Sequence, residues 1–155
     1  MTATPWLSDE QLRAWRGLSL MQLQLQARLS RGLSEFGLSY QDYLVLATLS
    51  DQPSGRRRVV ELSDELGWEK SRLSHHLTRM CQRGLVSKEP CPNDHRGTFI
   101  VLNDAGREIL QRTAPAHVRD VRAYFFDRLS PDQVATLANI ADEILAVLAA
   151  ANREG

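Results

Sequence analysis

Two apolar helical stripes, one near each end of the chain, constrain this sequence more than any other feature. Ser130-Pro131-Asp132-Gln133 supplies an N-cap, a first-turn proline, an early acid and a capping-box glutamine. Val134, Leu137, Ala141, Ile144 and Leu148 then repeat at three- and four-residue steps, with Ile140 and Leu145 alongside. Near the start, Ser8 precedes Asp9 and Glu10, and Leu12, Trp15, Leu18, Met21, Leu25 and Leu29 recur at the same spacing. Leu20, Leu23 and Ala27 widen that stripe. The pattern predicts a helix from about Ser8 to Phe36, ended by Gly37, and a terminal helix reaching about residue 151. The small unit between them has too little surface to cover both stripes, and monomers rarely leave large apolar patches exposed. Association of two copies follows, with Leu12, Leu18, Val134, Leu137, Ala141, Ile144 and Leu148 in the contact. Packing of each stripe on the protomer's own core is the alternative.

The middle of the chain alternates short periodic runs with turn chemistry. Ser39 caps a helix with Asp42 three residues on, and Asp51-Gln-Pro-Ser-Gly55 closes it. Val59, Leu62 and Leu66 fit one face of a short helix ended by Gly67; Leu73, Leu77 and Met80 fit a second, starting near Trp68–Glu69 and ending at Gly84. Two β-prone runs, 85–88 and 98–102, flank a polar stretch from Pro90 to Gly97 and read as a hairpin with a long tip. Asn103 caps a further helix that Pro115 should kink or interrupt. The predicted fold is mainly α with a small β-wing. A winged helix-turn-helix spans 39–102, and dimerisation helices at 8–36 and 103–151 complete one domain of 155 residues.

Several function classes drop out. Cys81 and Cys91 are too few for a disulfide framework. The N-terminus has no basic, apolar leader, and the longest unbroken apolar run, Ile144 to Ala151, is far shorter than the roughly 18 residues of a membrane span. A cytoplasmic protein without membrane contact is expected. No Ser–His–Asp set, carboxylate pair or Gly-rich phosphate loop stands in a plausible context, so neither enzyme activity nor a cofactor is predicted. Glu61, Asp64, Glu65 and Glu69 read as a solvated helix face. Cys91, Asp94 and His95 share one short loop and supply too few ligands for a metal.

Charge is distributed unevenly although the formal net charge is zero. Residues 56–96 hold nine Arg or Lys against six Asp or Glu, together with His75, His76 and His95. From the second helix of the pair, Lys70, Ser71, Arg72, Ser74, His75, Thr78 and Arg79 should face outward, and nearly all can donate hydrogen bonds. A helix of that kind fits the major groove of double-stranded DNA, with Ser71, Arg72, Ser74 and His75 placed to reach bases. An exposed helix with a polar face would look the same in isolation. His76 falls on the inward side and reads as a satisfied core histidine. In the hairpin, Asp94-His95-Arg96-Gly97 puts an arginine where a thin wing enters the minor groove, with Asp94 expected to pair with Arg96 and hold its fork.

Taken in order, Leu62 to Gly67, Lys70-Ser-Arg-Leu-Ser74, Arg83-Gly84-Leu85-Val86, Asp94-His-Arg-Gly97 and Leu102-Asn-Asp-Ala-Gly106 resemble the MarR family of bacterial transcriptional regulators over essentially the whole chain. The resemblance implies a triangular homodimer with interdigitated terminal helices and two winged modules on a pseudo-palindromic operator. It also implies a repressor released by a small phenolic or lipophilic molecule, other members answering to oxidants or metals. A pocket between dimer helices and DNA-binding module is the family's common arrangement, and Trp15, Leu18, Tyr43 and Leu46 are the residues expected to line it. Two positions depart from the family pattern: Val60 stands where a Ser or Thr cap is usual, and His76 where an aliphatic residue is usual. The family's oxidant sensors place a cysteine early in the first helix, and this chain has none there; Cys81 and Cys91 read as structural, with Cys91 oxidisable if exposed. The competing function is a winged-helix interaction or dimerisation module without DNA binding, which would tend to lose the basic wing and small polar residues kept here.

Overall fold

The computed structural model describes residues 5–154; residues 1–4, part of the stretch judged to lack a leader, and Gly155 lie outside the described residues. In chain order the elements are α1 (Asp9–Ser34), α2 (Tyr40–Ser50), β1 (Arg56–Arg58), α3 (Val59–Leu66), α4 (Lys70–Gln82), β2 (Val86–Cys91), β3 (Asp94–Leu102), α5 (Asp104–Tyr124), a 3₁₀ turn (Phe126–Arg128) and α6 (Pro131–Glu154). The fold is mainly α with one three-stranded antiparallel sheet of order β1-β3-β2. Three helix starts are fixed by reciprocal capping boxes, Ser8 with Gln11, Ser39 with Asp42 and Ser130 with Gln133, at 2.9 to 3.2 Å.

One core organises the middle of the chain. Leu33 and Leu38 from α1 and its end, Val45, Leu46 and Leu49 from α2, Leu62 from α3, Leu73, Leu77 and Met80 from α4, and Ile100 from β3 are all essentially inaccessible. Each such side chain stabilises the fold by about 1.5–3 kcal/mol relative to exposure. Helix α5 enters against the start of β2 at Gly106, where a Cβ would collide with the Leu85 carbonyl oxygen. Only glycine permits that approach.

Several local expectations need correction. Strand β1 was not foreseen: Arg56–Arg58 pairs with Val101–Phe99, and the Arg56 guanidinium lies 4.1 Å from the Phe99 ring centre. Arginine stems, not alternating apolar residues, cover the sheet there. The wing tip is also shorter than predicted, because β2 runs on through Pro90 to Cys91 and leaves only Pro92 and Asn93 between strands. Strand β2 is an edge strand, so Pro90 opposite Thr98 forfeits no necessary donor. Cys91 is 4% exposed, which removes the reading of an oxidisable surface thiol. It packs so closely under Gly97 that a Cβ there would lie 2.8 Å from its sulfur.

Helix α5 continues through Pro115 rather than breaking. The carbonyl deprived of its partner belongs to Gln111, which is exposed and can turn to water, while Leu110 and Thr113 on the other face are buried. The cap of α3 is at Arg58, not Val60, which lies inside the helix. The Glu61 carboxylate accepts the Arg58 amide at 3.0 Å, so one end of the box survives without a Ser or Thr.

Apart from Leu29, which is buried, the two terminal stripes are largely left uncovered by the protomer's own core. Trp15, Leu20, Leu23, Ile144, Leu145, Val147 and Leu148 are each more than half exposed. Leu12, Val134 and Leu137 are half-buried, and Leu18 and Ala141 are exposed. Within Pro131–Asn152 an 18-residue window has a mean hydropathy of 1.7 and none of it is buried, so α6 is long and apolar enough to cross a membrane by composition alone. Counting only its unbroken apolar run understated this helix, whose apolar residues are interspersed with Asn139, Asp142 and Glu143.

Candidate nucleic-acid interface

Helices α3 and α4 are joined by a turn whose geometry is locked from both sides. Gly67 takes φ 64°, a left-handed conformation that favours glycine. The Trp68 amide donates to the Ser63 carbonyl at 3.1 Å, and the Ser63 hydroxyl donates back to the Trp68 carbonyl at 2.7 Å. With the turn fixed, the 3.6-residue period decides what α4 presents. Leu73, His76, Leu77 and Met80 are buried; Lys70, Ser71, Arg72, Ser74, His75, Thr78 and Arg79 are all exposed.

The wing is tied to this helix. Lys88 of β2 donates from Nζ to the Thr78 hydroxyl at 3.1 Å, while that hydroxyl donates to the Ser74 carbonyl at 2.9 Å. His95 and Arg96 are exposed at the wing and Asp94 is half-buried. The expected Asp94–Arg96 side-chain pair does not form. Asp94 Oδ1 instead accepts the Arg96 backbone amide at 3.0 Å, and Oδ2 lies 3.7 Å from the Arg58 guanidinium. A carboxylate two residues before an amide in a tight turn folds back onto the backbone more readily than onto a long side chain. Among the described residues the Arg96 guanidinium therefore has no hydrogen-bond or ion-pair partner.

A cleft of about 430 Å³ joins the two parts, with Arg58, Lys70, Ser74, Lys88, Asp94 and Arg96 among its lining residues. Four cations face one carboxylate across it. Such a cleft attracts polyanions, since focused potential between low-dielectric walls exceeds that of scattered charges. Arg58 and Lys88 were not among the expected site residues; the run Arg56-Arg57-Arg58 was the signal that could have pointed to the first.

Behind α4 lies a buried polar network. Asp42, 3% exposed, sits 3.0 Å from His76 Nε2 and accepts from Arg83 Nη1 at 2.7 Å and from the Ser39 amide at 3.0 Å. Arg83 also donates to the Gly37 carbonyl at 2.7 Å. Burial opposes the Asp42 charge, but His76, Arg83 and the Ser39 amide outweigh it and hold the carboxyl well below the usual range. His76 is thus a core histidine with partners, as its inward position predicted.

The four residues expected to line an effector pocket are not brought together within the protomer. Leu46 is fully buried, Tyr43 stacks on His117 with ring centres 4.2 Å apart, and Trp15 and Leu18 lie on the exposed half of α1. A different cleft, about 420 Å³, opens between α1 and the end of α5, lined by Met21, Gln24, Leu25, Arg28, Tyr124 and Phe125. Arg28 donates to the Tyr124 hydroxyl at 2.6 Å and covers its ring at 4.6 Å. Among the described residues no three His, Cys, Asp or Glu side chains converge as metal ligands.

A locked helix-turn-helix, an exposed polar second helix and a basic hairpin beside it define a winged-helix protein of the DNA-binding class. Residues 36–97 match the model of the MarR family. The chain is 38% identical to AbsC, a MarR family transcriptional regulator from Streptomyces coelicolor, over 94% of its own length and 98% of that chain, with a TM-score of 0.86. A second MarR family regulator from Streptomyces coelicolor, solved in complex with DNA, is 37% identical over 93% of this chain and 91% of its own, with a TM-score of 0.85. The multiple antibiotic resistance protein MarR of Salmonella typhimurium is 26% identical over 94% of this chain and 99% of its own length. The chain belongs to the MarR family: it is a transcriptional regulator and not an enzyme.

Proposed function

We propose that this chain is a cytoplasmic, sequence-specific repressor that binds a pseudo-palindromic operator as a homodimer. The module at 39–102 contacts DNA, and the helices at 8–36 and 103–151 pair the two copies. The observation that carries the reading is the cleft between α4 and the wing, where an unpartnered Arg96 and the exposed polar face of α4 meet the same solvent space. The DNA complex of a relative 37% identical to this chain supports it. Ser71, Arg72, Ser74 and His75 read base edges; Lys70, Thr78, Arg79 and the wing residues Asp94, His95 and Arg96 set position on the backbone and minor groove.

The test is a gel shift on duplex DNA from upstream of the chain's own coding sequence. Arg72→Ala is expected to cost about 1–3 kcal/mol, concentrated at one base position, and Arg96→Ala to weaken binding more evenly across sequences. Undiminished binding by the Arg96 variant removes the wing from the mechanism. Affinity should also fall steeply with salt. A winged helix serving only protein contacts would show no such slope.

For release, the cleft between α1 and the end of α5 replaces the pocket first expected. Met21, Leu25 and Phe125 give an apolar floor, with the Arg28 guanidinium and Tyr124 hydroxyl at its side, a combination suited to a small aromatic acid. Occupancy would shift the dimer between geometries with compatible and incompatible half-site spacing. Titration with a panel of hydrophobic phenolic acids should reduce operator affinity in the parent and not in Arg28→Ala. An unresponsive parent overturns the effector reading.

A further inference from the structure

We infer that His76 is a positioning residue for DNA binding: it holds the Arg79 guanidinium at the edge of the recognition helix, backed by Asp42. The inference rests on the proposed contact between α4 and DNA. Arg79 Nη2 lies 3.3 Å from His76 Nδ1, and a guanidinium can only donate, so Nδ1 carries the lone pair. The ring proton then sits on Nε2, whose nitrogen lies 3.0 Å from Asp42 Oδ1 without the alignment of a hydrogen bond. One imidazole therefore sits between a buried carboxylate, itself anchored to the start of α2, and an exposed cation on the DNA-facing helix. An aliphatic side chain would fill the same space without accepting from Arg79 or facing Asp42 with a polar edge.

The second ring in the cluster acts in parallel. Trp68, in the helix-turn-helix turn, meets His76 edge-on with ring centres 5.6 Å apart, and Arg72 lies 5.3 Å from the Trp68 ring centre. Arg72 and Arg79, seven residues apart, lie along one side of α4 at a rise of about 10 Å. Both border a hollow of about 230 Å³ whose walls also include Ser39, Gln41, Trp68 and His76. Two arginines held on a pair of rings lose less rotamer freedom on binding than two free ones. Arg79, beside the base-reading positions rather than among them, suits a backbone phosphate.

A double-mutant cycle tests this, using the full-length protein and duplex DNA from upstream of its own coding sequence. Arg79→Ala and His76→Leu should each weaken binding roughly three- to tenfold, the scale of one hydrogen bond. Each should lower the salt slope by about one. Combined, they should bind no more weakly than Arg79→Ala alone, because His76 acts through Arg79. His76→Asn sets an amide oxygen near the Nδ1 position and should restore most of the affinity; thermal unfolding of every variant identifies losses due to instability. Additive losses, or a His76→Asn variant that is folded yet as weak as His76→Leu, overturn the role of His76 and leave the Arg79 contact standing. Full affinity in Arg79→Ala overturns both.

Discussion

Replacing Ile144 and Leu148 together by aspartate should give a folded monomer whose operator affinity is reduced at least a hundredfold. Both side chains are about half exposed in the protomer, at 52% and 53%, on a helix with no buried residue among those described, so the substitution removes nothing from the core. In the dimer it would place carboxylates inside an apolar contact, where an unpaired charge is strongly disfavoured. Loss of pairing also uncouples the two half-sites, and linked binding commonly exceeds separate binding by about 10² to 10⁴. Sedimentation and gel shift give the two readouts. A variant that sediments as a dimer and binds fully would exclude α6 from the assembly.

Asp42→Ala should destabilise the protomer by about 3 kcal/mol, the lower end for breaking a buried pair, since Arg83 can still reach water. Two donors lose their acceptor, Arg83 Nη1 and the Ser39 amide, and His76 Nε2 loses the carboxylate 3.0 Å away. The acid response fixes the sign. The Asp42 carboxyl is held below its ordinary range in the folded chain, so its contribution is present above about pH 4 and lost as pH falls further. His117 acts in the same direction at higher pH. Burial lowers its pKa against the opposing pull of Asp120, so its contribution fades as pH falls below about 6.5. Melting temperature against pH should decline in two stages in the parent, and the lower stage should be flatter in Asp42→Ala. An unchanged profile would mean that the network carries no net stability.

What the sequence disclosed and what it withheld divide along a physical line. The starts at Ser8, Ser39 and Ser130 and the stop at Gly67 were legible because caps and left-handed turns are decided within four residues. The exposed face of α4 was legible because helical periodicity needs no neighbour. Strand β1 was not, since three arginines become a strand only because β3 passes beside them and Phe99 receives two of them, Arg56 and Arg58. The same limit hid Arg58 and Lys88, which reach the cleft across the sheet. It misdirected Asp94 toward Arg96 when the competing backbone amide and Arg58 were closer. Leu46 shows the limit in reverse: its apolar character fitted pocket wall and core equally, and three-dimensional packing assigned it to the core.

The two-residue turn of the wing has a kinetic consequence. Cys91 seated under Gly97, the Arg96 amide bonded to Asp94 and Asp94 beside Arg58 leave the hairpin little freedom to lose on docking. A floppy eight-residue tip would have to be ordered during each encounter, slowing capture and making it strongly dependent on temperature. This finger arrives already shaped. Encounters with DNA should then be governed by diffusion and salt, and discrimination between right and wrong sites should appear in how long the complex lasts.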